Sequence, residues 1–358
     1  MTVAYRPVQW NRAKLVYDVV LAAAAVAYIL IFLAVAPAFQ DVTRPLDDAI
    51  LRMRAFGTCA FLMLSFVLAI GPLARLDPRF LPLLYNRRHF GVMTAVVAAV
   101  HASHVLGWYF AFSPTDPYVA LLGANTSFDR LSGFPFEIFG LAALLVLAVM
   151  AATSHDFWLH FLGPPVWKAI HMAVYGAYAA VVAHVALGAL QATTNPLLAV
   201  VVTGAAAGVV GLHLAADAVA RREARAAAEP VAGANPAEAA PAGWIAVGAA
   251  AAIPDGRAVV VPIGDREAAV FRDGNRIAAM SNACAHQNGP LGEGRIVDGC
   301  VTCPWHGFQY RLEDGSSPPP FTERVPTYRL KLVGGALFLD PRPLPAGTPV
   351  PPVILGEA

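Results

Sequence analysis

The stretch that decides the fold of the C-terminal part is Cys284-Ala285-His286, which sixteen residues separate from Cys303-Pro304-Trp305-His306. Each stretch contains one thiol and one imidazole. A two-iron, two-sulfur cluster with mixed ligands needs two thiolates on one iron and two imidazoles on the other, so two such loops supply a full ligand set. Zinc also accepts two cysteines and two histidines and is the alternative. Glycines follow both loops and let backbone N–H groups approach sulfur, which favours the iron–sulfur cluster.

Residues 243–340 resemble the Rieske ferredoxin family. The four ligand positions of that family are taken here by Cys284, His286, Cys303 and His306. The Rieske proteins of respiratory complexes have a further cysteine in each loop, where this chain has Gly289 and Trp305, and usually a serine where it has Phe308. The resemblance therefore implies a ferredoxin-type centre at the low end of the Rieske range, roughly −150 mV.

Composition indicates that the N-terminal part lies in a membrane. Hydrophobic residues make up 57% of the chain and charged residues only 14%. Six apolar runs in the first 220 residues approach or exceed the roughly 20 residues of a transmembrane helix. They lie near 16–37, 56–74, 91–112, 134–153, 168–190 and 196–219. The sequence thus predicts a membrane all-α six-helix bundle, followed by a small all-β Rieske domain.

Domain limits follow from changes in composition. We expect a six-helix transmembrane domain over residues 1–220, an Ala/Pro-rich linker over 221–242, the Rieske domain over 243–341 and an irregular Pro-rich tail over 342–358. Arginines and lysines concentrate before the first run, between the second and third, and after the sixth. The positive-inside rule then places both termini and the Rieske domain on the cytoplasmic side of a multi-pass inner (plasma) membrane protein.

Histidines in the membrane part predict a second cofactor. This part has eight of the ten histidines of the chain, and ionisable groups within a membrane are functional candidates. His171 and His184 are thirteen residues apart, roughly 20 Å along a helix. His101 lies near mid-membrane on another run, and His104 follows one turn later. Either of these two, paired with His184, would give a haem with two imidazole ligands.

Residues 50–190 resemble the ferric-reductase-like transmembrane haem domain, in particular the haem-binding membrane subunit of the methionine sulfoxide reductase system. The resemblance is carried by Arg87-Arg88-His89-Phe90-Gly91, by the segment 162–171, and by the histidines that follow them. It implies that His101, His171 and His184 bind haem b. A second haem, with His171 and His89, stays open, because Pro114 and Thr115 stand where a further histidine would be expected.

Other functional classes are disfavoured. His155 and His160 are spaced like part of a mononuclear iron site, but the soluble domain that holds that site in Rieske oxygenases does not follow. No glycine-rich dinucleotide-binding turn is present, and a net charge of +1 gives no sign of nucleic-acid binding. No catalytic residue is assigned.

These features predict a transmembrane electron-transfer protein. We expect a cytoplasmic NAD(P)H-dependent flavoprotein reductase to reduce the [2Fe-2S] cluster, which reduces one or two b-type haems, which in turn reduce an outer-side acceptor. Two alternatives stay open: the helices only anchor a Rieske ferredoxin that serves an oxygenase, or the conduit runs in the reverse direction. The sequence does not select the terminal acceptor.

Overall fold

The computed structural model describes residues 12–39, 47–84, 86–112, 114–131, 133–162, 164–191, 196–228, 242–286, 288–304, 307–319 and 321–356. The chain forms two compact units. One is helical and comprises Ala4–Pro72 and Asn86–His213. The other consists mainly of Leu73–Tyr85 and Leu214–Ala358 and includes all the β-strands that are described.

Ten α-helices are found in the described part of the N-terminal region. They are α1 (Arg12–Val35), α2 (Asp48–Leu76), α3 (Leu81–Leu84), α4 (Arg87–Phe112), α5 (Pro117–Gly123), α6 (Glu137–Ala152), α7 (Asp156–Leu162), α8 (Pro164–Met172), α9 (Val174–Leu187) and α10 (Leu197–Ala228). The long helices carry exposed apolar side chains, such as Val19 at 66% and Leu145 at 67% exposure. Such side chains are stable on a helix surface that faces lipid.

Five of the described helical segments are long and apolar enough to cross a membrane: Leu15–Phe39, Asp48–Leu76, Arg87–Ala111, Val166–Leu187 and Leu197–Arg222. The remaining predicted span corresponds to α6, which has 16 residues. This is shorter than the roughly 20 residues that usually span a bilayer. The helical, apolar character of the region is therefore confirmed, whereas the count of six spans is not.

The helical unit has a packed interior. Phe61 of α2 stacks on Tyr178 of α9, with ring centroids 5.9 Å apart. The Tyr178 hydroxyl lies 2.9 Å from Oγ of Ser65. Val202 and Val209 of α10 belong to the same buried cluster. Helix α6 packs along α9 and against α4, so the helices that carry His101 and His184 are held close together.

The fifth predicted run, 168–190, is divided between two helices. Helix α8 ends at Met172 and α9 begins at Val174. His171 is in the last turn of α8, and His184 is in the last turn of α9. The thirteen-residue spacing of these histidines is thus interrupted at Ala173.

The β domain contains eleven described strands: β1 (Ile245–Ala249), β2 (Ala258–Ile263), β3 (Arg266–Asp273), β4 (Arg276–Ser281), β5 (Arg295–Val297), β6 (Cys300–Thr302), β7 (Gln309–Arg311), β8 (Thr327–Tyr328), β9 (Leu330–Val333), β10 (Ala336–Leu339) and β11 (Val353–Ile354). All of their pairings are antiparallel. One sheet has the order β11-β4-β3-β2 with β8 beside β4, and the others are β1-β10-β9 and β5-β6-β7.

Tight turns explain the short strands. Asp273 pairs with Arg276 across a two-residue turn, where Gly274 has φ of 61°. Glycine adopts this left-handed conformation without strain, and glycine at the first turn position is typical of β-hairpins.

Regular structure extends into the predicted linker and into the predicted irregular tail. Helix α10 continues to Ala228, within the predicted linker, and residues 229–241 of that linker lie outside the described residues. Strand β11 lies in the predicted irregular tail, where Val353 and Ile354 pair with β4. The backbone hydrogen bonds of this edge compensate for the weak strand propensity of a proline-rich sequence.

Candidate functional site

Two loops of the β domain hold the predicted cluster ligands. The first loop follows β4 and the second connects β6 to β7. Cys284 and Cys303 are each only 1% exposed. Among the described residues no three His, Cys, Asp or Glu side chains lie close enough to hold one metal ion. A two-iron cluster spreads its ligands over two metals, and the predicted ligand His306 lies outside the described residues.

Both loops are closed by the same pair of backbone hydrogen bonds. The Cys284 N–H donates to the carbonyl of Gly289 (2.9 Å), and the Asn288 N–H donates back to the carbonyl of Cys284 (2.7 Å). In the second loop Cys303 bonds in the same way to Phe308 (2.7 Å) and Gly307 (2.9 Å). Asn288 and Gly307 occupy equivalent positions, with φ of 56° and 67°. The closure directs each buried thiol inward, as a metal–sulfur site needs.

Phe308 covers one of the predicted imidazole ligands. Its ring stacks on that of His286, with centroids 4.8 Å apart and planes inclined by 10°. Phe321 packs against Phe308 on another side, at 4.8 Å. Phe308 is therefore a large apolar contact for His286, in the place where the sequence comparison with respiratory Rieske proteins points to a serine. It limits rotation of the imidazole and the access of water to it.

Tyr310 contacts a predicted cluster ligand and was not named from the sequence. Its hydroxyl lies 3.2 Å from Sγ of Cys284, and the residue is fully buried. Burial and the neighbouring cysteines raise the pKa of Tyr310 well above its usual range. The phenol therefore keeps its proton, and its O–H would donate a hydrogen bond to the sulfur of Cys284 if that sulfur bound iron as a thiolate. A hydrogen bond to sulfur stabilises the reduced cluster, which opposes the lowering of potential expected from Phe308.

In the helical unit, His101 and His184 are paired. Their ring centroids are 6.4 Å apart, with planes inclined by 78°. Nδ1 of His101 lies 2.9 Å from the Met53 carbonyl, and Nδ1 of His184 lies 3.0 Å from the Phe136 carbonyl. When Nδ1 donates to a carbonyl, Nε2 carries the lone pair, which is the usual state of a metal-bound histidine.

His101 and His184 are close enough that, with metal–nitrogen bonds of about 2.0 Å, they would be able to hold the iron of a haem between them, where the haem would supply one-electron chemistry. The ring of His104, the other predicted partner of His184, packs instead against that of Phe56, with centroids 5.1 Å apart and planes inclined by 40°. The structure thus brings together the His101–His184 pair and gives His104 a different neighbour.

His171 is arranged like a ligand but is not part of this pair. Its Nδ1 lies 3.0 Å from the Trp167 carbonyl, and its ring stacks on the indole of Trp167 at 3.8 Å. The Met150 backbone is a further hydrogen-bond partner of its imidazole, so the ring is held by backbone groups as well as by Trp167.

His89, the other candidate for a second haem, is oriented by a carboxylate. Its Nδ1 lies 2.7 Å from Oδ2 of Asp18, and Asn86 donates to the other carboxylate oxygen at 2.8 Å. Carboxylates often orient metal-bound histidines in this way. Asp18 was missed by the sequence analysis because its contact with His89 joins helices 71 positions apart.

The remaining histidines of the helical unit have other surroundings. His213 contacts the hydroxyl of Tyr175 through Nε2 (3.0 Å) and the carbonyl of Val209 through Nδ1 (2.9 Å). His155 is exposed and accepts a hydrogen bond from the Phe157 N–H. The side chain of His160 lies outside the described residues.

Comparison with known proteins gives one family match in each part of the chain. Residues 243–329 match the Rieske [2Fe-2S] domain, and residues 56–182 match the ferric reductase like transmembrane component. The anthranilate 1,2-dioxygenase ferredoxin subunit of Burkholderia cepacia is 36% identical over 78 residues, which are 22% of this chain and 72% of that protein. The alkene monooxygenase ferredoxin component of Xanthobacter autotrophicus is 30% identical over 92 residues, or 25% and 75% of the two chains.

Among solved structures, the ferredoxin of carbazole 1,9a-dioxygenase from Nocardioides aromaticivorans is similar, with 22% identity, a TM-score of 0.26, and coverage of 28% of this chain and 98% of that one. The fold and the buried cysteine loops define an iron–sulfur protein for electron transfer. The chain belongs to the Rieske ferredoxin family through its C-terminal domain, and this domain follows a ferric reductase-like membrane domain.

Proposed function

We propose that the protein is a transmembrane electron conduit. Electrons enter at the [2Fe-2S] cluster from a cytoplasmic NAD(P)H-dependent flavoprotein reductase, continue to b-type haem in the membrane, and leave to an acceptor on the outer side. The observation that carries the proposal is the His101–His184 pair, at 6.4 Å, in a chain that also has a Rieske domain. An anchor alone would not need two opposed imidazoles.

The residues of each site have defined tasks in this proposal. Cys284, His286, Cys303 and His306 hold the cluster, and the Tyr310 hydroxyl adjusts its potential. His101 and His184 hold one haem, and the carbonyls of Met53 and Phe136 orient them. The cluster and the haem supply the one-electron chemistry.

The orientation belongs to the same proposal. We place six spans in the inner membrane, with α6 as a short fourth one and both termini on the cytoplasmic side. Arginines at both ends of the α2–α4 connection, such as Arg75 and Arg87, support this orientation through the positive-inside rule. The exposed apolar side chains of α1 support its position in lipid.

A second candidate function has support from the relatives. They are named as ferredoxin components of a dioxygenase and a monooxygenase system. In this alternative the chain is a membrane-anchored Rieske ferredoxin that delivers electrons to an oxygenase, and the helices hold no haem. A conduit that runs inward from an outer donor is a variant of the first proposal, and the relative potentials of haem and cluster would distinguish the two directions.

The deciding experiment is a reduced-minus-oxidised optical spectrum of the purified protein, with haem and non-haem iron measured on the same sample. We expect a b-type haem signal beside two non-haem irons per chain. His101→Ala and His184→Ala should each abolish the signal of this haem. His104→Ala is the matched control on α4 and should retain it. Two irons with no haem, in protein produced with haem supplied, would support the oxygenase ferredoxin instead.

The same spectrum tests the second haem. If His171 and His89 bind one, the wild-type protein contains two haems per chain, and His171→Ala retains one. If His171→Ala leaves the haem content unchanged at one, the second site is excluded.

A further inference from the structure

Each of the paired histidines lies against a glycine of a neighbouring helix and close to the backbone carbonyl four residues before that glycine. We infer that Gly57 and Gly140 make room for the imidazoles of His101 and His184, and that they fix the two ring planes nearly perpendicular to each other. Each of these two positions, a glycine together with the carbonyl four residues before it, is called a seat below. The inference rests on the proposed haem site and adds to it the residues that orient its ligands. It also assigns a role to α2 and α6, which carry neither histidine of the pair.

The first seat is on α2. The Met53 carbonyl lies 2.9 Å from Nδ1 of His101. Gly57 follows Met53 by four residues, and a Cβ at Gly57 would lie 3.0 Å from both Nδ1 and Cε1 of His101. The imidazole therefore lies against the bare backbone of α2, in space that any side chain would fill.

The second seat is on α6 and has the same spacing. The Phe136 carbonyl lies 3.0 Å from Nδ1 of His184. Gly140 follows Phe136 by four residues, and a Cβ there would lie 2.8 Å from Nδ1 and 2.9 Å from Cε1 of His184. Real Cβ atoms almost never approach other atoms so closely, so alanine at this position would displace the ring.

The repeated spacing has a geometric cause. In an α-helix the N–H of residue i+4 points at the carbonyl of residue i. A ring that shares this carbonyl lies near residue i+4, and at Gly57 and Gly140 the absence of a side chain leaves room for it. Other helical glycines differ: Gly107, on the helix of His101, and Gly176, on the helix of His184, have nothing within 4 Å of an added Cβ.

Together, the hydrogen bond and the seat restrict how each ring turns about its Cβ–Cγ bond. The bond fixes Nδ1, and the glycine limits the space on one side of the ring. The resulting planes are inclined by 78°. Perpendicular axial imidazoles leave two iron d orbitals almost equal in energy, whereas parallel ones separate them. Low-spin ferric haem then gives a highly anisotropic electron paramagnetic resonance (EPR) signal in the first case and a rhombic one in the second.

The test is EPR of the oxidised full-length protein in detergent, with Gly57→Ala and Gly140→Ala compared with wild type. We expect a highly anisotropic low-spin signal in wild type. Gly140→Ala should move the signal towards the rhombic form or lower the haem content severalfold, and Gly57→Ala should give a smaller change because its contact is longer. Gly107→Ala and Gly176→Ala are the matched controls and should behave like wild type.

A Gly140→Ala protein with wild-type haem content and line shape would overturn the inference, as would a rhombic signal in wild type. If Gly140→Ala aggregates on size exclusion, Gly57→Ala decides: a changed line shape supports the seat, and a wild-type line shape contradicts it. Absence of haem from the wild-type protein would instead contradict the proposed function, so the two failures are distinguishable.

Discussion

The contact between the Tyr310 hydroxyl and the Cys284 sulfur should affect the midpoint potential of the cluster, and one substitution can test this. A hydrogen bond to a charged group contributes about 1.5–3 kcal/mol. The bond is stronger to the more negative, reduced cluster, so only part of this energy changes the free energy of reduction. For a one-electron couple, 59 mV corresponds to a tenfold change in the equilibrium constant. We therefore expect Tyr310→Phe to lower the midpoint potential by on the order of 50 mV, measured by EPR-monitored redox titration.

The control for this change is Tyr328→Phe. Tyr328 is also buried, at 2% exposure, but it packs in a different core cluster from the cysteine ligands. Its replacement should leave the midpoint potential of the cluster unchanged. An equal shift in both variants would mean that burial of a phenol, rather than the bond to sulfur, sets the potential.

The buried carboxylate of Asp340 should make the stability of the β domain depend on pH. Its carboxylate is buried and accepts hydrogen bonds from Arg342 at 2.9 and 3.0 Å, which lower its pKa. A lowered folded-state pKa stabilises the fold above the unfolded value of about 3.9, and this stabilisation is lost as pH falls through the folded-state pKa. Asp340→Asn should thus destabilise the β domain at neutral pH, and by less in acid, because the amide loses the charge-assisted hydrogen bonds from Arg342.

The measurement is the temperature at which the visible circular dichroism of the cluster is lost, at pH 7 and at lower pH. Asp265→Asn is the control, because Asp265 faces Arg266 at 3.6 Å on the surface, with the carboxylate 93% exposed. Surface ion pairs contribute little. A penalty for Asp340→Asn no larger than that of this control would contradict the assigned role.

The two ligand loops have the same backbone hydrogen bonds but different residues at the position with left-handed backbone conformation. Gly307 has φ of 67° in one loop and Asn288 has φ of 56° in the other. Most residues with a side chain are strained there by about 1–2 kcal/mol, but asparagine tolerates the region. We expect Gly307→Ala to reduce cluster content and thermal stability, and Gly307→Asn to retain both. Equal losses in both variants would show that space, rather than φ, requires glycine. Iron and labile sulfide per chain are the measurements.

The positions of the long helices could be predicted from local sequence, but the breaks between them could not. The apolar runs predicted where the long helices lie, because composition and length are local properties. The break at Ala173 between α8 and α9 was not predicted, because the apolar run continues through it without a proline or a charged residue. Similarly, β11 forms in a proline-rich tail because β4 offers an edge for its hydrogen bonds.

For the whole molecule, the division into two compact units predicts that the two cofactor sites are independent. Cys284→Ser combined with Cys303→Ser should abolish the cluster signal and leave the haem spectrum unchanged. His101→Ala should do the reverse. Optical and EPR spectra of both variants test this, and loss of both cofactors in either variant would show that one site needs the other to fold.

The family and the membrane character could be predicted from the sequence, because they depend on residue spacing within a loop and on the length of apolar runs. Only the tertiary structure paired His184 with His101 rather than His104, placed Tyr310 on Cys284, and put Gly57 and Gly140 beneath the imidazoles. The His101–Met53 contact joins residues 48 positions apart, and the Tyr310–Cys284 contact joins residues 26 apart. Contacts between residues so far apart depend on how the elements pack, and a local sequence pattern carries no information on that packing.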